Sequence, residues 1–501
     1  MTQNNDTPTP PKRFSRARLR EVQEAQSLPI IDRGAGPFPA APVQKMFWLL
    51  SQVEQAGSAY VIRAAFDISG KVDADALARA FAHLAHRHEI LCARFEMRYN
   101  TLVVDHADPA NAFPLTHSHL SQHADVQAEL TRQAAIPMDL QKGPLAQAHL
   151  WTRAPDAHTL MIRLHHTVAD DASIDILWHD LTQIYAALVA DDPVPAPAAT
   201  AAYLDVAQHQ AVTGSDDAYW RRTLAGSPPL STPAGDTRPR LIDHAGAVHR
   251  FDLGTDLVDA IAAFATKGGV TPFAVALAAW VIFLQNQSGQ RDIVTSVPVS
   301  QRDTATLAHT VGPLLNTLAL RVDHRAQADG IAFVKDVHDR FLTARAHAGT
   351  PINQVIELSE PARSAAHHPL FQTMFSWISR AATAPLSLGD LPAHPRGVHQ
   401  TTAQLDLTLD LVAEGAGISC AFEYATCLFD ADTVASFAQD FTAGLERLVT
   451  TQAGSGDARP AARISLPRSS SPETAPPVPE RFAMQATRTP DAPALVDGGT
   501  W

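Results

Sequence analysis

The sequence predicts an α/β protein, and three observations carry that prediction. Apolar strands and amphipathic helices alternate in both halves of the chain. One strand pattern runs directly into a histidine-bearing loop and then into a long helical stripe. Hydrophobic residues make up 46% of the 501 positions against 18% charged, enough to bury more than one domain-sized core.

The elements follow in order. From Val72 the chain reads as a helix: Asp73 or Asp75 can cap it, and Leu77, Phe81, Leu84 and His88 recur at helical spacing. Glu89 to Phe95 then hands over to a strand. Leu160-Met161-Ile162-Arg163-Leu164 reads as a strand, and after a loop Ile174, Leu177, Leu181, Ile184 and Leu188 form a helical stripe. The tract Asp192-Pro193-Val194-Pro195-Ala196-Pro197 interrupts regular structure and marks a lobe boundary. Beyond it, Thr271-Pro272 offers a helix cap followed by proline at the first helical position; the apolar run reaches Leu284 and closes at Ser288-Gly289. Ile293 to Val299 reads as a strand. Between Ala453 and Pro479 glycine, serine and proline dominate, as in a linker.

Composition narrows the function classes. A formal net charge of −13, with no basic patch interleaved with aromatics, argues against nucleic acid as a partner. Met1 to Pro11 is polar and no apolar run reaches the roughly 18 residues of a membrane span, so neither signal peptide nor anchor is expected and the location predicted is cytoplasmic. Cys92, Cys420 and Cys427 form neither an even framework nor a CxxC pattern, and they read as packing residues. Near the start, Lys12, Arg13, Arg16, Arg18 and Arg20 precede Glu21 and Glu24; this charged segment is either a leader or, across residues 12–26, a docking element for an upstream protein.

The most informative tract is Leu164-His165-His166-Thr167-Val168-Ala169-Asp170-Asp171-Ala172-Ser173. Successive side chains on a strand face opposite sides, so a His166 that looks into a substrate channel requires a His165 that looks into the packed body. The pair therefore does not suit one shared metal ion. Asp170 is spaced to fold back across the loop, and a charge buried there needs a partner. Ser173 suits a helix cap better than a nucleophile, since no base and orienting acid accompany it.

Further motifs share the chain: Ala41-Pro42-Val43-Gln44-Lys45-Met46-Phe47, Arg87-His88-Glu89-Ile90-Leu91, Val311-Gly312-Pro313-Leu314-Leu315-Asn316-Thr317 and His367-His368-Pro369-Leu370-Phe371. In this order the set resembles the condensation domain of non-ribosomal peptide synthetases, and Pro479 through Val496 resembles the opening of an adenylation domain. The resemblance implies two chloramphenicol-acetyltransferase-like lobes in a V-shaped pseudo-dimer with a central channel. The organisation expected is a leader (1–35), an N-terminal lobe (36–192), a C-terminal lobe (193–450), a linker (451–478) and a truncated adenylation start (479–501).

It also implies a chemistry. An acyl or peptidyl thioester on an upstream carrier protein is attacked by the amine of an aminoacyl thioester on a downstream carrier, giving an amide. Both reactants ride on 4'-phosphopantetheine arms, so the domain itself needs no cofactor and no metal. His166 is the expected catalytic residue; His165, Asp170, Arg302 and Ser173 structure the loop, with Arg302 in the place from which the family's arginine pairs with the aspartate. Asn316 either bonds substrate near the acceptor channel or serves a turn, while Arg87, His88, His367 and His368 read as structural.

Asp171 departs from the family, which usually has glycine there. A carboxylate beside a developing oxyanion would repel it, and Asp-Asp also resembles non-catalytic relatives that recruit haem monooxygenases. Those relatives usually replace the second histidine with arginine, whereas His166 remains here. A starter-type acyltransferase that uses acyl-coenzyme A is the other alternative kept open. Cys92, Pro313 and Leu314 also differ from the usual pattern, so the channel lining is expected to differ.

Overall fold

The computed structural model describes residues 36–52, 58–121, 124–197, 200–212, 216–231, 238–324, 330–361, 364–380 and 386–450. The expected leader, its docking segment, the linker and the adenylation start lie outside these residues. The described elements fall within one compact unit.

In chain order, the first half contains β1 (Phe38–Pro39), α1 (Pro42–Ser51), β2 (Val61–Ser69), α2 (Ala74–Arg87), β3 (Ala93–Arg98), β4 (Thr101–His106), β5 (Leu115–His119), α3 (Val126–Ala134), β6 (Ala146–Ala154), β7 (Ala157–His165) and α4 (Asp171–Ala190). Then come α5 (Tyr203–Val212), α6 (Asp217–Leu224), β8 (Gly246–Leu253), α7 (Thr255–Gly268), α8 (Pro272–Ser288), β9 (Ile293–Ser300), β10 (Leu315–Val322), α9 (Gly330–Ala346) and α10 (Ile352–Ser359). The last are β11 (Thr373–Arg380), β12 (Ser387–Leu388), β13 (Leu391–Arg396), β14 (Leu407–Glu414), β15 (Gly417–Ala425) and α11 (Ala431–Thr450).

Local chemistry accounts for the helices. Asp73 caps α2 by accepting from the Ala76 amide at 2.9 Å, and Leu77, Phe81 and Leu84 are fully buried on one stripe. Thr271 caps α8, Pro272 follows, and Gly289 ends the helix at φ 71°, a left-handed conformation that glycine adopts freely. Residues from Ala274 to Val281 in α8 are all buried, as befits a helix apolar on every side. Each large side chain hidden there, such as Trp280, contributes roughly 1.5–3 kcal/mol of transfer free energy.

Two six-stranded sheets carry the architecture, in the orders β12-β13-β2-β7-β6-β5 and β10-β9-β11-β14-β15-β8; β1, β4 and β3 form a smaller third. Each large sheet has its own hydrophobic cluster, one built with α2 and α4, the other with α7, α8, α9 and α11. This is the α/β, two-lobed fold that the sequence resemblance implies. The chain does not respect the boundary at 193, however. β13 leaves the second half to pair antiparallel with β2, Ala393 opposite Ile68, while Tyr203, Leu307, Val311 and Leu314 pack into the first cluster. Strand exchange of this kind ties the lobes together, because separating them would expose both a sheet edge and apolar surface. No single helix among the described residues is long and apolar enough to cross a membrane.

Candidate functional site

The site grows from the end of β7. Val61 on β2 lies opposite His165, and the next amide, that of His166, donates to the Tyr60 carbonyl at 2.9 Å. His165 points into the body: its Nδ1 accepts from the Thr167 amide at 3.1 Å and lies 3.0 Å from the Thr167 hydroxyl. Burial, reinforced by the neighbouring His166, pushes its pKa down to about 3, so this ring is a neutral structural acceptor. His166 turns the other way. Its imidazole lines a cavity and stacks on Phe47 with ring centroids 5.2 Å apart. Burial pushes its pKa down as well, opposed by the Asp171 and Asp170 carboxylates, and the neutral ring that results can accept a proton. Its Nδ1 has no hydrogen-bond partner among the described residues.

The loop that follows is held from three sides. Asp170 caps α4, accepting from the Ser173 amide at 3.0 Å and from the Ser173 hydroxyl at 2.7 Å. Arg302 forks onto the same carboxylate, Nη1 to Oδ2 at 2.5 Å and Nη2 to Oδ1 at 2.8 Å, and the Leu314 amide donates to Oδ2 at 3.1 Å. Arg302 Nη2 also donates to the Thr310 and Gly312 carbonyls at 3.0 and 3.2 Å, which ties the segment after β9 to the histidine loop. From α1, the fully buried Gln44 donates its amide to the Thr167 carbonyl at 2.9 Å, while its Oε1 accepts from the Ala41 amide. Such groups satisfy the Asp170 carboxylate and the Thr167 carbonyl and hold the loop that carries His166.

The cavity has a volume of about 500 Å³ and draws its walls from both large sheets. Phe47, Tyr60, Arg63, His166 and Asp171 come from one side, and Arg250, Met374, Ser376, Thr408, Asp410 and Glu423 from the other. The second wall follows strand alternation: Thr408 and Asp410 face the cavity while Leu407, Leu409 and Leu411 face the core. Burial raises the Glu423 carboxyl to about 7, against hydrogen bonds from the Gln404 amide and the Gln400 side chain. Burial likewise raises Asp410 to about 6, offset by Ser376. Asp171, the first residue of α4, is also pushed up by burial and pulled back by His166.

Asn316 calls for a correction. Its neighbours Leu315 and Thr317 line the cavity, so alternation on β10 turns Asn316 away; its amide donates to the Ala348 and Thr350 carbonyls, both at 2.8 Å, and its Oδ1 accepts from the Thr317 amide. It fastens the connection between α9 and α10 and has no hydrogen-bonding capacity aimed at the channel. Arg87 and His88 both engage Asp180, at 3.0 and 2.9 Å, away from this cavity. His368 does line it, stacked on Phe371 at 4.1 Å with its Nδ1 accepting from the Leu370 and Phe371 amides. Sequence reasoning missed Gln44 as a brace and Asp410 and Glu423 as cavity acids. The one available signal was polar residues interrupting apolar strands at alternate positions, as in Leu407-Thr408-Leu409-Asp410-Leu411. No group of His, Cys, Asp and Glu suited to a metal ion occurs among the described residues.

Comparison with known proteins places these features in context. Residues 35–455 match the family model described as "Condensation domain". Malpibaldin synthetase of Mortierella alpina is 30% identical over 441 residues, which is 85% of this chain and 8% of that protein. Bacitracin synthase 3 of Bacillus licheniformis is 27% identical over 404 residues, covering 79% of this chain and 6% of that protein. The chain thus spans less than a tenth of either relative. Among solved structures, the X-domain from teicoplanin biosynthesis superposes with a TM-score of 0.76 at 23% identity, covering 85% of this chain and 98% of that one. The first condensation domain of the calcium-dependent antibiotic synthetase, in complex with a substrate analogue, gives 0.71 at 22%, covering 85% and 99%. At these identities the structures speak to the fold.

Proposed function

The chain belongs to the condensation-domain family, and from that premise we propose that it works within a non-ribosomal peptide synthetase, joining a carrier-bound acyl or peptidyl thioester to a carrier-bound aminoacyl amine. The observation that carries this reading is the His166 imidazole in the wall of a cavity bounded by both sheets. The cavity is where the two thioesters meet, each delivered on the 4'-phosphopantetheine arm of its own carrier protein, with an adenylation domain as a further neighbour in the assembly.

Aminolysis of a thioester needs modest help. An α-amine of pKa about 7.7–8.0 is partly neutral near pH 7. Positioned base catalysis supplies roughly 10²- to 10⁴-fold, whereas holding two reactants in attack geometry supplies about 7–11 kcal/mol. Orientation is therefore the larger contribution, and the stacking of His166 on Phe47 together with the Asp170–Arg302 pair serves it by fixing the ring. His166 accepts a hydrogen bond from the attacking amine, takes its proton as the adduct collapses, and returns it to the departing pantetheine sulfur.

The test is amide formation by the purified protein from synthetically loaded upstream and downstream carriers, followed by mass spectrometry. Product from wild type and its loss in His166→Ala are expected. Wild-type turnover in the variant, or no amide from any loaded pair, would defeat the reading.

A further inference from the structure

Several of the charged groups in the cavity are answered locally. Glu423 accepts from Gln400 and the Gln404 amide. Arg396 meets Asp67 at 2.5 Å, and Arg63 donates to the Ala134 and Ser58 carbonyls. Asp410 has Ser376 and the Arg250 charge beside it. The Asp171 carboxylate is different: it faces the same cavity as His166, is the next lining residue along the chain, and makes no hydrogen bond or ion pair among the described residues.

The charges around it are His166 and Asp170 from its own loop, Asp175 one turn further along α4, Asp410 from β14 and Arg380 from β11. Asp170 is already paired with Arg302 and Asp410 has the Arg250 charge beside it, which leaves Asp171 and Asp175 facing Arg380, and burial pushes the pKa of His166 down. A carboxylate that lines the cavity, open to what enters it and without a hydrogen bond of its own, is placed to receive a cation, and the substrate group that belongs beside His166 is an amine that is largely ammonium below its pKa of about 8.

We infer that Asp171 is a second substrate-contacting residue, which receives the attacking amine as its ammonium ion, takes one proton from it, and leaves the neutral amine beside His166. This rests on the amide-forming reading above. The balance is complete: ammonium and carboxylate become amine and carboxylic acid; the C–N bond forms and the C–S bond breaks as His166 passes the amine's second proton to sulfur; Asp171 then returns its proton to water. Burial, which raises the Asp171 carboxyl, favours the protonated state that the transfer creates. That state is uncharged while negative charge develops on the thioester oxygen, so the acid in place of glycine need not oppose the reaction at that moment.

The experiment compares two downstream carriers, one loaded with an aminoacyl group and one with the matching aminooxyacyl group, whose weakly basic nitrogen carries no charge at neutral pH. Rates are measured from acid to alkaline pH for wild type, Asp171→Asn and Asp171→Glu. For the aminoacyl carrier, Asp171→Asn is expected to raise KM about tenfold and to move the rising limb of kcat/KM to higher pH, with partial recovery in Asp171→Glu. For the aminooxy carrier it leaves both parameters within about twofold, since no ammonium is bound. Equal losses with the two carriers, or no loss with either, would overturn the inference while leaving amide formation intact. A wild type that makes no amide at all fails the broader reading and takes this one with it.

Discussion

Arg302 and Asp170, 132 residues apart in the chain, form a two-pronged ion pair at 2.5 and 2.8 Å. Both side chains are nearly buried, at 9% and 6% exposure. Ser173 and the Leu314 amide take up remaining acceptor positions on the carboxylate, and the Thr310 and Gly312 carbonyls accept from Arg302 Nη2, while the buried Nε has no partner among the described residues.

Breaking that pair from one side leaves a charge in the interior. Arg302→Ala should cost about 3–5 kcal/mol of unfolding free energy, because Asp170 would stay buried without its counter-charge. Arg302→Lys should recover only part of that, a point charge being unable to fork onto both oxygens. Urea denaturation of the three proteins checks this, and a loss below about 1 kcal/mol would show the loop to be held by other contacts.

His165 and His166 should separate stability from rate. His166→Ala removes a group that faces the cavity, and amide formation should fall about 10²- to 10⁴-fold with little change in melting temperature. His165→Ala leaves the Thr167 amide and hydroxyl without their acceptor, at about 1–3 kcal/mol of stability. Single-turnover rates beside thermal melts distinguish the two outcomes.

That division was legible from the bare sequence, because alternation along a strand depends only on local geometry and assigned the two rings to opposite faces. The caps at Asp73 and Thr271 were legible for the same reason: the hydrogen bonds close within three residues. Contacts made across the chain were not. Nothing near Gln44 announces a bond to Thr167, 123 residues away, and no local pattern tells β13 to leave its own half and pair with β2. The sequence leaves Asn316 open between a channel contact and a turn because its register, which turns it to the carbonyls of Ala348 and Thr350, follows from the position of β10 in the sheet.

The pH dependence of stability should carry the mark of Glu423. Its carboxyl rises from 4.5 to about 7 on folding, so between those values the folded chain binds more proton than the unfolded one. Stability from this group is therefore present below about pH 4.5 and declines as pH climbs to about 7. Glu423→Gln, neutral throughout and still able to accept from the Gln404 amide, should flatten the decline by on the order of 2 kcal/mol at pH 8. Unfolding free energies taken at pH 5 and pH 8 decide it; parallel slopes in the two proteins would mean that Glu423 is charged in the folded state.

Gly312 gives the sharpest steric expectation. Its φ of +149° is one that side chains rarely adopt, and an added Cβ would lie 2.2 Å from Tyr203 Cδ2. The Tyr203 ring cannot retreat readily, being fully buried in the core cluster of the first sheet. Both Gly312 backbone groups also meet Ser173 Oγ, the carbonyl at 3.3 Å and the amide at 3.2 Å, so a shift of the backbone would disturb the cap of α4 and the floor of the histidine loop. Gly312→Ala should accordingly lose about 2–5 kcal/mol, overpacking and backbone strain acting together. The double variant with Tyr203→Ala should relieve the overpacking share, and a double-mutant cycle in urea measures the relief: a coupling energy near zero would mean that the two residues do not press on each other.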